Sequence, residues 1–139
     1  MTATQRFMLD TDTISYVLRG EGGVPEKLLS FPPSEVCLSA ISLGELRFGA
    51  DKRRSKRLHQ LITDFTAAIE VLPFDAAAAA IFGRVCASLQ TKGSPIGSFD
   101  TLIASHAIAL NLTLVTNNNK HFSHVRGLKL ANWYTKHSD

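Results

Sequence analysis

Three acidic residues of this chain lie in apolar surroundings, where a carboxylate is costly unless a cation or hydrogen-bond donors meet it. Asp10 ends the apolar run Phe7–Leu9, and Glu45 and Asp100 follow in similarly apolar segments. Three inward-facing carboxylates cannot all stay ionised near one another without a cation. Because hard divalent ions prefer oxygen ligands, we predict that Asp10, Glu45 and Asp100 meet around Mg²⁺, with Mn²⁺ as the alternative.

Each acid also has a purely structural alternative. Asp10 could be a turn residue that accepts hydrogen bonds from the next backbone amides. The Ser42–Glu45 segment has the form of a helix capping box, and Asp100 falls in the first turn of a predicted helix, where the helix dipole favours an acid. Against the capping-box alternative, Glu45 shares a helix face with Ile41 and Phe48, which directs its side chain towards the core or a cleft.

Strands that alternate with helices must position these acids. Short apolar runs predict strands at Phe7–Leu9, Val36–Ser39, Glu70–Phe74, Leu112–Thr116 and Leu128–Leu130. Helical periodicity and caps predict helices after Asp12, from Pro25 to Phe31, from Ile41 to Ala50, from Leu58, after Asp75, after a Ser98 cap, and for one turn from His121 to Val125. The order predicts one domain over residues 1–139, with a three-layer α/β/α architecture and a mainly parallel central sheet.

Thr116 is predicted to lie near the acids. The carboxyl ends of parallel strands share one edge of a sheet, so Thr116, at the end of the fourth strand, should lie on the same edge as Asp10. Its hydroxyl could orient a phosphate or a metal-bound water, or it could simply cap the strand end.

Composition sets limits on the function. The 139 residues carry a formal net charge of +3, and 45% are hydrophobic, which predicts one compact domain and permits an anionic partner such as RNA. The apolar runs are too short to span a membrane and the N-terminus lacks a signal-peptide pattern, so we predict a cytoplasmic protein. Two cysteines, Cys37 and Cys86, are predicted to be buried thiols. The chain has five histidines, His59, His106, His121, His124 and His137. They lack zinc-site spacing, apart from the loose pair His121 and His124, and most of them are predicted to be solvated.

A basic run, residues 51–57, follows the Glu45 helix. Arg53 and Arg54 are its candidate substrate-binding residues. Cations there would form a basic rim that contacts RNA phosphates without distinguishing the base sequence. The alternative is a solvated helix face.

Four motifs together resemble the PIN-domain ribonucleases, and more narrowly the VapC-type toxins of bacterial toxin–antitoxin pairs. They are Met-Leu-Asp-Thr-Asp at 8–12, Ser-Ala-Ile-Ser-Leu-Gly-Glu-Leu-Arg-Phe-Gly at 39–49, Pro-Ile-Gly-Ser-Phe-Asp at 95–100 and Leu-Val-Thr-Asn-Asn at 114–118. Their order and spacing match the family over nearly the whole chain.

The resemblance implies a metal-dependent endoribonuclease that inhibits translation by cutting a structured RNA. Transfer RNA is a known target class of such toxins, and messenger and ribosomal RNA remain alternatives. By the same resemblance, Asp10, Glu45 and Asp100 are the catalytic and metal-binding acids and Thr116 is the hydroxyl beside them. Cleavage would leave a 5′-phosphate and a 3′-hydroxyl.

The resemblance also implies partners. A small VapB-type antitoxin would hold the enzyme inactive, and a homodimer is expected. The antitoxin's tail would lie in a groove formed by the helices between Asp12 and Asp51, which would present Leu18, Leu43, Leu46 and Phe48.

Two departures from the family pattern affect the metal site. Asp12 stands where the family usually has Asn, which adds a charge. The turn Asn117–Asn119 lacks the fourth acid that many members have, and His121 stands where related sequences often have an acid. Asn118 can coordinate only through its neutral carbonyl, so we predict one well-held ion rather than a tight two-metal site.

Two rival functions remain open from the sequence. Asp10–Thr13 matches the Asp-x-Asp-x-Thr signature of haloacid-dehalogenase-like phosphatases, and Leu114–Asn117 resembles their second motif. However, no acidic pair follows Thr116 and that chemistry leaves the other two acids unused. The second rival is a PIN-fold binding module with a degraded site, which the missing fourth acid favours.

Overall fold

The computed structural model describes residues 4–136, so the expectation for His137 lies outside the described residues. The strands are β1 (Phe7–Leu9), β2 (Val36–Ser39), β3 (Glu70–Leu72), β4 (Thr113–Val115) and β5 (Lys129–Ala131). The helices are α1 (Thr11–Arg19), α2 (Val24–Leu29), α3 (Ala40–Lys52), α4 (Lys56–Ala68), α5 (Ala76–Thr91), α6 (Ser98–Ala109) and α7 (Asn119–Phe122), with a 3₁₀ turn at Pro33–Glu35. The predicted order of elements is confirmed, and most bounds move by one or two residues.

All four strand pairs run parallel, and the strand order is β3-β2-β1-β4-β5. The chain leaves β1 on one side to form β2 and β3, and then returns to the other side of β1 for β4 and β5. The connections from β1 and β4 therefore diverge, which opens a crevice at the carboxyl ends of these two strands. This crevice lies where Asp10 and Thr116 follow their strands.

The side chains of β1, the central strand, point alternately into two apolar cores, one on each face of the sheet. Phe7 and Leu9 join one apolar cluster, with buried residues from α1, α3 and α4, whereas Met8 joins the other, with residues from α5 and α6. Successive strand residues point to opposite faces, so the sheet is covered on both sides. The predicted three-layer α/β/α fold is confirmed.

The start of α6 differs from the sequence prediction. Ser98 is the first helical residue rather than the cap, and the cap is Gly97 with a φ of 94°. The Gly97 carbonyl accepts bonds from the Thr101 backbone N–H (3.0 Å) and the Thr101 hydroxyl (2.6 Å). The helix therefore begins one residue earlier than a serine cap would allow, and Asp100 stays in its first turn.

Within residues 4–136, no helix has the length and apolar character that crossing a membrane requires.

Candidate active site

Asp10 lies at the point where β1 passes into α1. The side chain is 5% exposed, and its Oδ1 accepts a hydrogen bond from the Thr13 backbone N–H (2.8 Å), which makes Asp10 the N-cap of the helix. Burial raises the pKa of Asp10, hydrogen bonds from Thr116 and Thr13 oppose that rise, and the charge of Asp12 adds to it. The turn role proposed as an alternative is thus real, but it engages only one carboxylate oxygen.

Glu45 lies in the second turn of α3, half-buried. Its Oε1 accepts a 2.6 Å hydrogen bond from the Thr11 hydroxyl, which joins α3 to the first residue of α1. Burial raises the pKa of Glu45, the Thr11 bond lowers it, and the neighbouring charges of Asp100, Asp12 and Asp10 raise it further.

The capping-box alternative for Glu45 is wrong. The N-cap of α3 is Ser39, whose hydroxyl accepts from the Ile41 backbone N–H (3.0 Å). Ser42 is instead a buried residue inside the helix, and its Oγ has no hydrogen-bond partner among the described residues. Glu45 is therefore free of the helix terminus.

Asp100 is paired with a histidine that sequence reasoning expected at the surface. The Nε2 atom of His121 lies 3.0 Å from Asp100 Oδ2 and 2.9 Å from the Ile96 carbonyl oxygen. Because both partners are acceptors, Nε2 carries the proton and donates to them. Burial raises the pKa of Asp100, His121 lowers it through its hydrogen bond and charge, and Asp12 raises it.

Asp12 acts on all three acids. It is exposed in the first turn of α1, yet its charge raises the pKa of Asp10, Glu45 and Asp100. The predicted extra charge is therefore present at the site. It comes from the Asp-x-Asp pair at the end of β1 rather than from the turn after β4.

The donor atoms suit a hard divalent cation. Three carboxylates that repel one another, with a hydroxyl beside them, present only oxygen ligands of the kind that Mg²⁺ and Mn²⁺ prefer. As they stand, each carboxylate is directed onto a protein donor, and within residues 4–136 no three His, Cys, Asp or Glu side chains converge on a common ion. To bind an ion, some of these carboxylates would therefore have to give up their protein hydrogen bonds and coordinate the metal instead.

The turn after β4 borders the acids. Thr116 is fully buried, its hydroxyl accepts from the Asn118 backbone N–H (3.0 Å), and it bonds with the Asp10 carboxylate. The predicted placement beside Asp10 is confirmed, and the strand-end cap is present as well. The Asn118 side chain is exposed and lines a cavity that His121 also lines.

A family model for the PIN domain matches residues 7–128, which is most of the chain. The chain belongs to the PIN-domain family. Within it, the relatives are VapC ribonucleases. One from Shigella flexneri, called tRNA(fMet)-specific endonuclease VapC, is 36% identical over 129 residues that cover 92% of this chain and 98% of the relative.

Solved structures of complexes share the fold. The DNA-bound VapBC of Salmonella typhimurium matches with a TM-score of 0.87 and 34% identity over 93% of this chain and 98% of that one. VapBC2 of Rickettsia felis, bound to a promoter DNA fragment, matches with a TM-score of 0.82 and 35% identity over 93% and 99%. Because the PIN family accounts for nearly the whole chain, the phosphatase alternative is not retained.

One side of this PIN domain carries the predicted basic rim. Arg53 lines a cavity of about 120 Å³ together with Thr11 and Glu45. Arg54 is exposed with a φ of 51°, in the turn between α3 and α4. Arg53 is therefore the better placed of the two predicted substrate contacts.

The groove predicted for the antitoxin is only partly correct. Leu18 lines the same cavity as Arg53, and Leu43 packs against the core partly buried. Leu46 is 6% exposed and belongs to the core, but it also lines that cavity, whereas Phe48 is 67% exposed and does not line it. Two residues apart on a helix point in nearly opposite directions, so these two side chains cannot serve one surface.

The prediction of mostly solvated histidines is wrong for His106. It is 1% exposed on α6, its Nδ1 lies 2.9 Å from the Ser39 hydroxyl, and burial lowers its pKa. A neutral ring accepts there from Ser39, at the end of β2. The contact between His106 and Ser39 therefore anchors α6, the helix that carries Asp100. A single histidine in an apolar segment gives no sequence signal for such a buried contact.

Of the two cysteines, Cys37 is buried as predicted, whereas Cys86 is only partly buried.

Proposed function

We propose that this PIN domain is a Mg²⁺-dependent endoribonuclease, the toxin of a toxin–antitoxin pair, which inhibits translation by cutting a structured RNA. The observation that carries the proposal is the set Asp10, Glu45 and Asp100. Three elements bring these carboxylates to one edge of the sheet. Burial raises the pKa of each, the charge of Asp12 raises it further, and Glu45 also feels the charges of Asp100 and Asp10. Such a strained set is typical of functional sites.

Each residue of the proposed site would have its own role. Asp10 and Asp100 would be the main ligands of the ion, and Glu45 would help to hold it or orient the attacking water. A bound Mg²⁺ would supply neutralising charge and polarise the scissile phosphodiester. The Thr11 hydroxyl orients Glu45 and opposes the rise of its pKa, and the Thr116 hydroxyl opposes the rise of the Asp10 pKa and would position a phosphate oxygen.

The names of the relatives support transfer RNA as the first substrate to test. The VapBC complexes support a VapB-type antitoxin as partner. We place that antitoxin along α3, over the cavity that Leu18, Leu46 and Arg53 line beside Glu45, with the exposed Phe48 of the same helix as a further contact. A homodimer, the cytoplasm as compartment, and rim contacts of Arg53 and Arg54 with RNA phosphates belong to the same proposal.

One observation favours the rival binding module. Each acid is already hydrogen-bonded to a protein donor, and within the described residues no three of the possible ligands meet at one point. If those bonds persist in the presence of metal, the chain would bind RNA or a partner without cutting it.

The decisive experiment expresses the chain and its Asp100→Asn variant in bacteria and sequences new RNA ends that carry a 5′-monophosphate. Asparagine keeps an oxygen for His121 but removes the charge, so loss of cutting would report chemistry rather than packing. Asp64→Asn, an exposed acid bonded to Gln60, is the matched control. Cuts made by the parent chain and the control but absent in Asp100→Asn support the nuclease. Equal cutting by all three, also in EDTA with purified protein, would reject it.

A further inference from the structure

Two adjoining cavities lie on the α5–α6 side of the molecule, away from the predicted antitoxin side. The nearer one, of about 360 Å³, is lined by Asn118, Lys120 and His121. The further one, of about 210 Å³, is lined by Arg84 and Arg126. His124 lines both cavities, and His121 bonds to Asp100, so the pair continues from the candidate active site along the surface.

The lining is basic and free of acids. Neither cavity is lined by an aspartate or glutamate, although the chain contains 12 of them. Within residues 4–136, the ion pairs involve neither Arg84, Lys120 nor Arg126. Exposed cations without a carboxylate partner keep their full capacity to bind an anion.

The further cavity also has an apolar floor. Val85, Leu89 and Val125 are buried residues of the second core, and Ile81 and Ile108 pack against them. Arg84 and Ser88 stand one helical turn apart on α5 above this floor, and His124 and Arg126 flank the anchored Val125. An apolar floor with guanidinium groups above it suits a nucleotide. The nucleobase can stack on apolar side chains or guanidinium planes, and its phosphates can pair with the guanidinium charges.

We propose that these two cavities bind a single-stranded segment of the RNA beside the cleavage point, with phosphates on Arg84 and Arg126 and one base on the apolar floor. This inference rests on the proposed nuclease function, since it assigns a second contact to the same substrate. The volume of the further cavity lies below the roughly 300–1,000 Å³ of pockets for drug-sized ligands, which fits one base rather than a larger molecule.

The test measures binding without cleavage. The full chain carrying Asp100→Asn is titrated against a fluorescein-labelled 12-nucleotide single-stranded RNA at several salt concentrations, with fluorescence anisotropy as the readout. Arg84→Glu/Arg126→Glu should weaken binding about 10-fold or more. Losing two phosphate contacts should also reduce the slope of log affinity against log salt by about 1.4, from roughly 0.7 per contact.

Two further variants separate the cavity from general electrostatics. Lys27→Glu/Lys136→Glu makes the same change of net charge on exposed residues of the opposite side, and should alter affinity by less than about threefold. Ser88→Trp fills the further cavity without a change of charge, and should weaken binding while the salt slope stays the same. All five substituted positions in these three variants are exposed, and thermal melting checks that each variant is folded.

Equal affinity of the Arg84/Arg126 and Lys27/Lys136 variants would overturn the inference. It would also fail if light scattering showed that Arg84→Glu/Arg126→Glu changes the oligomeric state while RNA affinity stays constant, since the cavities would then belong to an interface between copies. The nuclease proposal fails separately, if the wild-type chain cuts no RNA while binding still depends on Arg84 and Arg126.

Discussion

The Thr11 hydroxyl donates a 2.6 Å hydrogen bond to the Glu45 carboxylate, which joins the first residue of α1 to the second turn of α3. The bond lowers the pKa of Glu45 against the rise that burial and neighbouring acids cause. Thr11 therefore acts through Glu45, keeping it ionised and fixed in direction beside the other acids.

Replacing Thr11 by valine should lower RNA cleavage about 10-fold to 100-fold, the range typical of a group that supports a metal ligand. Without the bond, the pKa of Glu45 rises further, so the acid limb of the pH–rate profile should move to higher pH. Thr11→Ser keeps the hydroxyl and should keep both rate and profile. An unchanged acid limb in Thr11→Val would show that Glu45 ionisation does not limit the reaction.

Asp10 has two separable roles, because its Oδ1 caps α1 while the carboxylate belongs to the acid cluster. Asp10→Asn should abolish cleavage yet keep the cap, whereas Asp10→Ala loses charge and cap together and should have a free energy of unfolding about 1 kcal/mol below that of Asp10→Asn. Asp75→Ala is the control, since Asp75 caps α5 in the same way. It should lose a similar free energy and retain full cleavage. Active Asp10→Asn would remove Asp10 from the chemistry.

The sequence predicted the parts of the site that depend on local rules. Asp10 and Thr116 each follow a buried strand, and parallel pairing fixes both at one edge. The missed features depend on contacts between distant segments. His121 reaches Asp100 across 21 residues, and His106 reaches Ser39 across 67. Neither contact leaves a periodic signal, because a single polar residue can meet its partner only after packing has set the distance.

The face of α3 was misjudged for a related reason. Glu45 and Phe48 were predicted to share a face towards the core or a cleft, but Phe48 is exposed, whereas Leu46 is buried in the core and lines the cavity with Glu45. Periodicity shows which residues share a face but not which face is covered. The neighbours that decide it, α4 and the sheet, are known only from the fold.

Metal-free protein should become more stable when the acid cluster loses a charge. Burial and the charge of Asp12 raise the pKa of Asp10, Glu45 and Asp100, and repulsion from Asp100 and Asp10 adds to the rise at Glu45, so the folded chain binds protons more tightly than the unfolded chain. The free energy of unfolding that these groups contribute is therefore greatest at low pH and falls as pH rises through their folded pKa values, above the ordinary 3.8 to 4.5.

Glu45→Gln keeps an oxygen for Thr11 and removes the charge, so it should raise the melting temperature in EDTA at pH 7. Its advantage should shrink towards pH 4, and Mg²⁺ should stabilise the parent chain more than the variant. Glu26→Gln, an exposed acid of α2, should change neither. A variant that melts lower than the parent at pH 7 would contradict the mutual repulsion of the acids.

Leu46 and Phe48 give a matched test of the proposed antitoxin side, because they lie two residues apart on α3 with opposite exposure. Leu46→Ala should lower the free energy of unfolding by about 2–5 kcal/mol through the cavity that it leaves in the core. Phe48→Ala should change it by less than about 0.5 kcal/mol. Its effect should appear instead in the affinity for the proposed VapB-type antitoxin, measured by calorimetry, since a large exposed aromatic side chain is typical of an interface anchor. An unchanged affinity in Phe48→Ala, with Glu26→Ala as the surface control, would move the antitoxin to another face of the molecule.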